Sequence, residues 1–175
     1  WYEPGRDTTR MFGAEGPYAS YVSAGFFAAM GMRVLRGRDF ADADRLGDGN
    51  AIVVNAEMAR KLWPGADPLS RCLIVDQRQS RCRPVVGVVS DAHFMQVVEG
   101  PSMQFYLPAA DTGGVSRAGT IIVRSAPGQA ARVASAISRQ LTPRFAGIAT
   151  VDARPMRYYL ANELQPCRTR ATLFA

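Results

Sequence analysis

Between residues 50 and 91 the hydrophobic pattern changes period three times. Residues 51–54 are an unbroken apolar run, Ala-Ile-Val-Val, and predict a strand. Asn55 is a capping residue type, and Met58, Ala59 and Leu62 follow at helical spacing, so a helix comes next. Pro64-Gly65 ends it, because proline has no amide donor and glycine accepts left-handed backbone angles. Two further runs, 72–75 and 84–89, flank a polar hexapeptide and predict a hairpin with a cysteine on each arm. This strand–helix–hairpin unit organises the chain and carries no chemistry of its own.

The flanking pattern is simpler. Residues 1–16 are polar or turn-forming and read as a strand end and a loop. Tyr18, Ser20 and Val22 alternate as in a short strand. Ser23 is a candidate helix cap, Phe26, Phe27 and Met30 line one helical face, and Gly31 stops the helix. Residues 32–35 return as a strand, and residues 36–40 turn out into an acidic loop. Residues 103–107 form another strand, closed by Pro108, and the glycine-containing stretch 109–119 is the best candidate boundary between lobes. Beyond it, residues 120–124 read as a strand and Pro127 as a first helical turn. Val133, Ile137 and Leu141 repeat on one helix face, and Thr142-Pro143 ends that helix. Residues 148–151 then predict a returning strand, and 156–164 a final amphipathic helix. Strand–helix–strand at this spacing points to a crossover connection. There is no tandem repeat of 20–50 residues.

The run VSAGFFAAMGMRVLRGRDFADAD at residues 22–44 is followed by AIVVNAEMARKLWPGADPLSR, VVGVVSD and FYLP. In that order the segments resemble the MacB-like periplasmic core domain of FtsX-like permeases, the membrane subunits of ABC transporters. Within that group the resemblance is to duplicated orphan permeases that carry no ATPase of their own. It covers about residues 18–175; each motif is weak alone, and their succession is specific. The family's domain starts well upstream of Trp1, so a strand–helix portion is expected to be missing.

The resemblance implies an α+β fold of two small lobes. A β-rich inserted lobe with the strand–helix–hairpin core would occupy residues 1–115. A βαβ porter-like lobe would occupy residues 116–175, with a lead-in to a membrane helix at its end. The implied role is an extracytoplasmic domain that relays membrane-helix motion to a substrate or a periplasmic partner protein. Its partners would be the flanking membrane helices of the same permease and a separate ATPase subunit. Gly37, Arg38, Asp39, Trp63, Pro64, Gly65, Asp67 and Pro68 match the family's motifs, and a structural role at the turns is expected for them.

Composition adds limits. A chain of 175 residues is long enough to bury a real core, and 47% hydrophobic with 21% charged residues fits a folded protein. The longest apolar run, residues 24–32, is half of what a bilayer span needs. No signal peptide is evident. The net charge of +6 allows attraction to nucleic acid or anionic lipid. The arginines are scattered and not interleaved with aromatics, however, so solvated surface is the better reading and no nucleic-acid partner is expected.

Cys72 and Cys82 sit equidistant from Gln77 and should face each other across the hairpin, which favours a disulfide over two free thiols. A disulfide implies an oxidising compartment. Cys167 has no evident partner, and the spacing does not fit a zinc site. Asp39, Asp42, Asp44 and Asp48 invite a calcium loop, but Leu46 and Val53 fall where ligands are needed. His93 is the only histidine; beside Ser90 and Asp91 it forms no nucleophile–base relay, and no Gly-x-Ser-x-Gly elbow exists. No phosphate-binding loop is present. No catalytic residue, cofactor or metal is therefore expected. The rival readings are a small stand-alone hydrolase, for which the nucleophile is missing, and a basic nucleic-acid-binding module, favoured only by charge.

Overall fold

A computed structural model describes residues 17–46, 50–75, 82–93, 100–109 and 120–161. Six strands make a mixed sheet: β1 (Tyr18–Val22), β2 (Val34–Gly37), β3 (Ile52–Asn55), β4 (Cys72–Leu73), β5 (Arg83–Val89) and β6 (Gln104–Pro108). Their order is β1-β6-β3-β5-β2, and β4 pairs with β5 beside this path. The β1–β6 and β3–β5 pairs are parallel; β6–β3, β5–β2 and β5–β4 are antiparallel.

The central strands are buried on both faces, which is why they read as continuous apolar runs rather than as alternation. Ile52 and Val54 of β3, with Phe105 and Leu107 of β6, point into one core. Val53 and Tyr106, one position away, point into the other. Helix α3 (Ala56–Leu62) covers the first core with Met58, Ala59 and Leu62. The second core is closed by α1 (Phe26–Met30) through Phe27, and by Phe40. There the Phe27 and Tyr106 rings meet edge to face at 4.9 Å between centroids. The parallel neighbours β3 and β5 are connected through α3 and β4; the crossover expected between residues 120–124 and 148–151 does not form, since neither segment is a strand.

Several local expectations are corrected. Helix α1 is capped by Gly25 at φ 80° without a side-chain bond, not by Ser23; Gly31 stops it as expected. The second strand is shifted to Val34–Gly37, and the acidic residues after it form a helix, α2 (Asp42–Leu46). In the hairpin Cys72 lies opposite Pro84 and Leu73 opposite Arg83, so the register is two residues from one centred on Gln77. Cys72 and Cys82 nevertheless form a disulfide, with Cα atoms 5.4 Å apart.

The chain divides into two compact units. The first runs to Phe94 and from Val98 to Ile122; the second takes Met95–Val97 and Val123–Ala175. In the second unit α4 (Ala130–Leu141) forms and ends at Thr142 as expected, but Pro127 lies with Gly128 in a turn before the helix and not in its first turn. Residues 156–161 are helical. The segments 120–124 and 148–151, expected as strands, are not in any ladder, and Ile121 and Ile148 are both 81% exposed. β-branched composition favours a strand only where a neighbour supplies the other half of the hydrogen bonds. The loop expected at 1–16 and most of the boundary loop 109–119 lie outside the described residues, as does Cys167.

Candidate functional site

The matching motifs converge on one edge of the sheet. β2 carries Arg36 and Gly37; the turn after α3 carries Pro64, Gly65, Asp67 and Pro68. Arg36 reaches across to Asp67, with Nη2 3.0 Å from Oδ1. The same oxygen accepts the Leu69 amide at 3.0 Å, so Asp67 also caps the 3-10 turn Pro68–Ser70. That cap holds Leu69 against Gly37. Gly37 has φ 69°, and a Cβ there would overlap the Val86 carbonyl; one on Gly87 would overlap the Arg38 carbonyl. Two glycines therefore let β2 and β5 approach where no side chain fits.

Arg38 and Asp39 complete the exit from β2. The Arg38 guanidinium forks onto Asp44, with Nη1–Oδ2 at 2.6 Å and Nη2–Oδ1 at 3.0 Å. Asp44 Oδ2 also accepts the Ala41 amide at 2.7 Å, the reciprocal half of a capping box at the start of α2. These bonds hold the Asp44 carboxyl below the usual range, the Arg38 bond contributing most, and raise the Arg38 pKa in turn. Asp39 Oδ1 accepts the Phe40 amide, which turns Phe40 inward. Trp63 ends α3 and is buried in the first core, while Pro64 and Gly65 are exposed.

A second cluster joins Asn55 to Asp91. The Asn55 amide donates to Asp91 Oδ1 (2.6 Å) and to the Ser102 carbonyl (2.8 Å). Its Oδ1 accepts from the Met58 and Gln104 amides at 3.1 and 2.9 Å. Asp91 Oδ1 also accepts the Glu57 amide at 2.8 Å, so two side chains cap α3 together. Gln104 continues the network to Ser102 and Tyr106, whose hydroxyl donates to Gln104 Oε1 at 2.8 Å. Burial raises the Asp91 pKa, against the pull of Arg60 and the Asn55 bond. The Tyr106 pKa is raised as well, by burial first and the Asp91 charge second.

Asn55 was legible as a cap. Asp91, Ser102 and Gln104 were not, because their partners lie 34 to 49 residues away. Its bonds tie the end of β3, the start of α3 and the start of β6 to one another. Ser90 Oγ accepts the Arg33 amide at 3.1 Å and pins the start of β2; His93 is exposed. Among the described residues no cluster of His, Cys, Asp and Glu could hold a metal ion. No described helix is long and apolar enough to cross a membrane.

A model of the MacB-like periplasmic core domain matches residues 4–140. The chain belongs to that family. Solved structures share the fold. The periplasmic region of MacB from Actinobacillus actinomycetemcomitans is 16% identical with a TM-score of 0.53, over 72% of this chain and 56% of that one. The extracellular domain of the noncanonic ABC-type transporter YknZ from Gram-positive bacteria is 21% identical with a TM-score of 0.51, over 77% of this chain and 66% of that one. The MacB-like chain thus spans somewhat more than half of the first of these and about two thirds of the second. Comparison with curated proteins gives no match. The sheet described here accounts for the α+β fold of a MacB-like domain.

Proposed function

We propose that this MacB-like domain is held between membrane helices of an ABC-type permease of the duplicated orphan kind, on the extracytoplasmic side. It relays their motion to a substrate or a periplasmic partner, and a separate ATPase subunit supplies the energy. Its lobes are residues 1–115 and 116–175. A relay needs elements that move as one body rather than catalytic side chains. The observation that carries this reading is the Arg36–Asp67 clamp with the Gly37–Gly87 close approach, which ties an edge strand to the turn after α3. The disulfide fits the same compartment.

Two experiments test the reading in the full permease. Ser23 is exposed; Ser23→Cys, made in a Cys167→Ser background, is labelled by a membrane-impermeant maleimide in intact cells. Labelling only after lysis rejects the extracytoplasmic placement. Arg36→Glu and Asp67→Asn, the second of which keeps an acceptor for the Leu69 amide, each uncouple ATP hydrolysis from the permease's downstream activity, and Arg36→Lys retains it. Full coupling in both Arg36→Glu and Asp67→Asn rejects the relay through this junction.

A further inference from the structure

Charge is distributed unevenly between the two units. Residues 1–122 hold thirteen basic and thirteen acidic side chains, whereas residues 123–175 hold eight basic and two acidic ones. Residues 95–97 carry no charge, so the whole net charge of +6 belongs to the second unit. Among its described residues Asp152 is the sole acid, and it pairs with Arg154 at 2.7 Å. Arg132, Arg139, Arg144 and Arg157 are exposed.

The same unit leaves large apolar groups in solvent. Tyr158 and Tyr159 are 53% and 52% exposed and meet edge to face at 5.7 Å. Arg154 lies over the Tyr158 ring at 4.2 Å. Met156, Leu160 and Phe145 are exposed nearby in sequence. The helical segment 156–161 holds Met156, Tyr158, Tyr159 and Leu160 beside Arg157, with Arg154 just before it, which is the composition of an interfacial element. Aromatic rings sit at headgroup depth, and arginines meet phosphates while their stems lie along apolar surface.

We infer that the second unit is a seat for an anionic phospholipid surface, with Tyr158, Tyr159, Met156 and Leu160 entering the headgroup layer and Arg144, Arg154 and Arg157 facing lipid phosphates. The inference rests on the reading of the domain as tethered to the membrane. Charge complementarity selects anionic lipid. The exposed aromatic and aliphatic groups select a lipid surface over a purely ionic partner, which would have no use for them.

The test is co-sedimentation of the 175-residue chain with vesicles of phosphatidylglycerol and phosphatidylcholine in equal parts, and with phosphatidylcholine alone. Binding to the anionic vesicles that weakens as salt rises is expected. Arg157→Ala and Arg144→Ala each weaken it by about fivefold, the share of one basic residue near an anionic surface, and Arg157→Lys retains it. Tyr158→Ser with Tyr159→Ser removes the part that survives high salt. Arg33→Glu, in the first unit, changes nothing. No binding, equal binding to phosphatidylcholine alone, an equal loss from Arg33→Glu, or self-association without lipid that the tyrosine variant abolishes would each overturn the seat. Failure here alongside extracytoplasmic labelling of Ser23→Cys rejects the seat and leaves the placement standing.

Discussion

Trp63 is 4% exposed and packs with Met58, Leu62, Leu73 and Met103, so its truncation opens a void under the turn. Trp63→Ala should cost about 3–5 kcal/mol, the range for a buried aromatic cut to alanine, read as a lower urea midpoint. An unchanged midpoint would mean the site refills. Asp44 gives a second test at this scale. Its pKa is lowered in the fold, so it contributes stability above its unfolded value of 3.8, and that contribution disappears as pH falls through the folded value. Asp44→Asn should therefore melt below the parent at neutral pH, and the gap should close at pH values under 3.8. A gap that persists in acid would assign the effect to packing. Asp91 works in the opposite sense: its pKa is raised by burial, so the cost of its charge is relieved as pH falls.

Elements here are short and lean on one another. α3 has seven residues, too few to persist alone, and survives because Asn55 and Asp91 cap it and its apolar face closes a core. β4 has two residues and a ladder to β5 of two pairs. The Cys72–Cys82 bond closes a loop with a sequence separation of 10 and holds that ladder in register. The chain-entropy model gives about 2.5–3 kcal/mol for such a loop. Reduction, or Cys72→Ser with Cys82→Ser, should lower the unfolding free energy by up to that amount. Peptide mapping without reductant should recover the two cysteines linked. Free thiols at both positions in exported protein would remove the bond from the account.

Over the whole molecule, burial is unequal. The first unit has two cores on the two faces of one sheet; in the second, Ala134 is the buried hydrophobic residue among those described. Amide exchange follows local opening, which is easiest where few apolar contacts must break. Hydrogen exchange followed by mass spectrometry should show β3, β5 and β6 as the last to exchange and α4 well before them. Protection of α4 equal to that of β3 would mean that its half-buried face is covered in solution.

The sequence by itself determined the elements whose signal is local. The apolar run at 51–54, the Asn55 cap, the Pro64-Gly65 stop and the 133–141 helix face need only neighbours within a turn or two; the cap and both helices appear where read, and the strand one residue later, at Ile52–Asn55. The Cys72–Cys82 bond was legible because a short hairpin limits where the two cysteines can be, whereas the register that sets Cys72 opposite Pro84 was not. Tertiary structure decided what depends on partners far along the chain. β3 and β5 became parallel neighbours around α3, and Asp91 became a cap for a helix 34 residues away. Arg36 found Asp67 because β2 and the turn meet across β5. The β-branched segments at 120–124 and 148–151 show the same rule from the other side. A strand is a relation between segments, and β propensity alone forms no ladder without a second edge to bond.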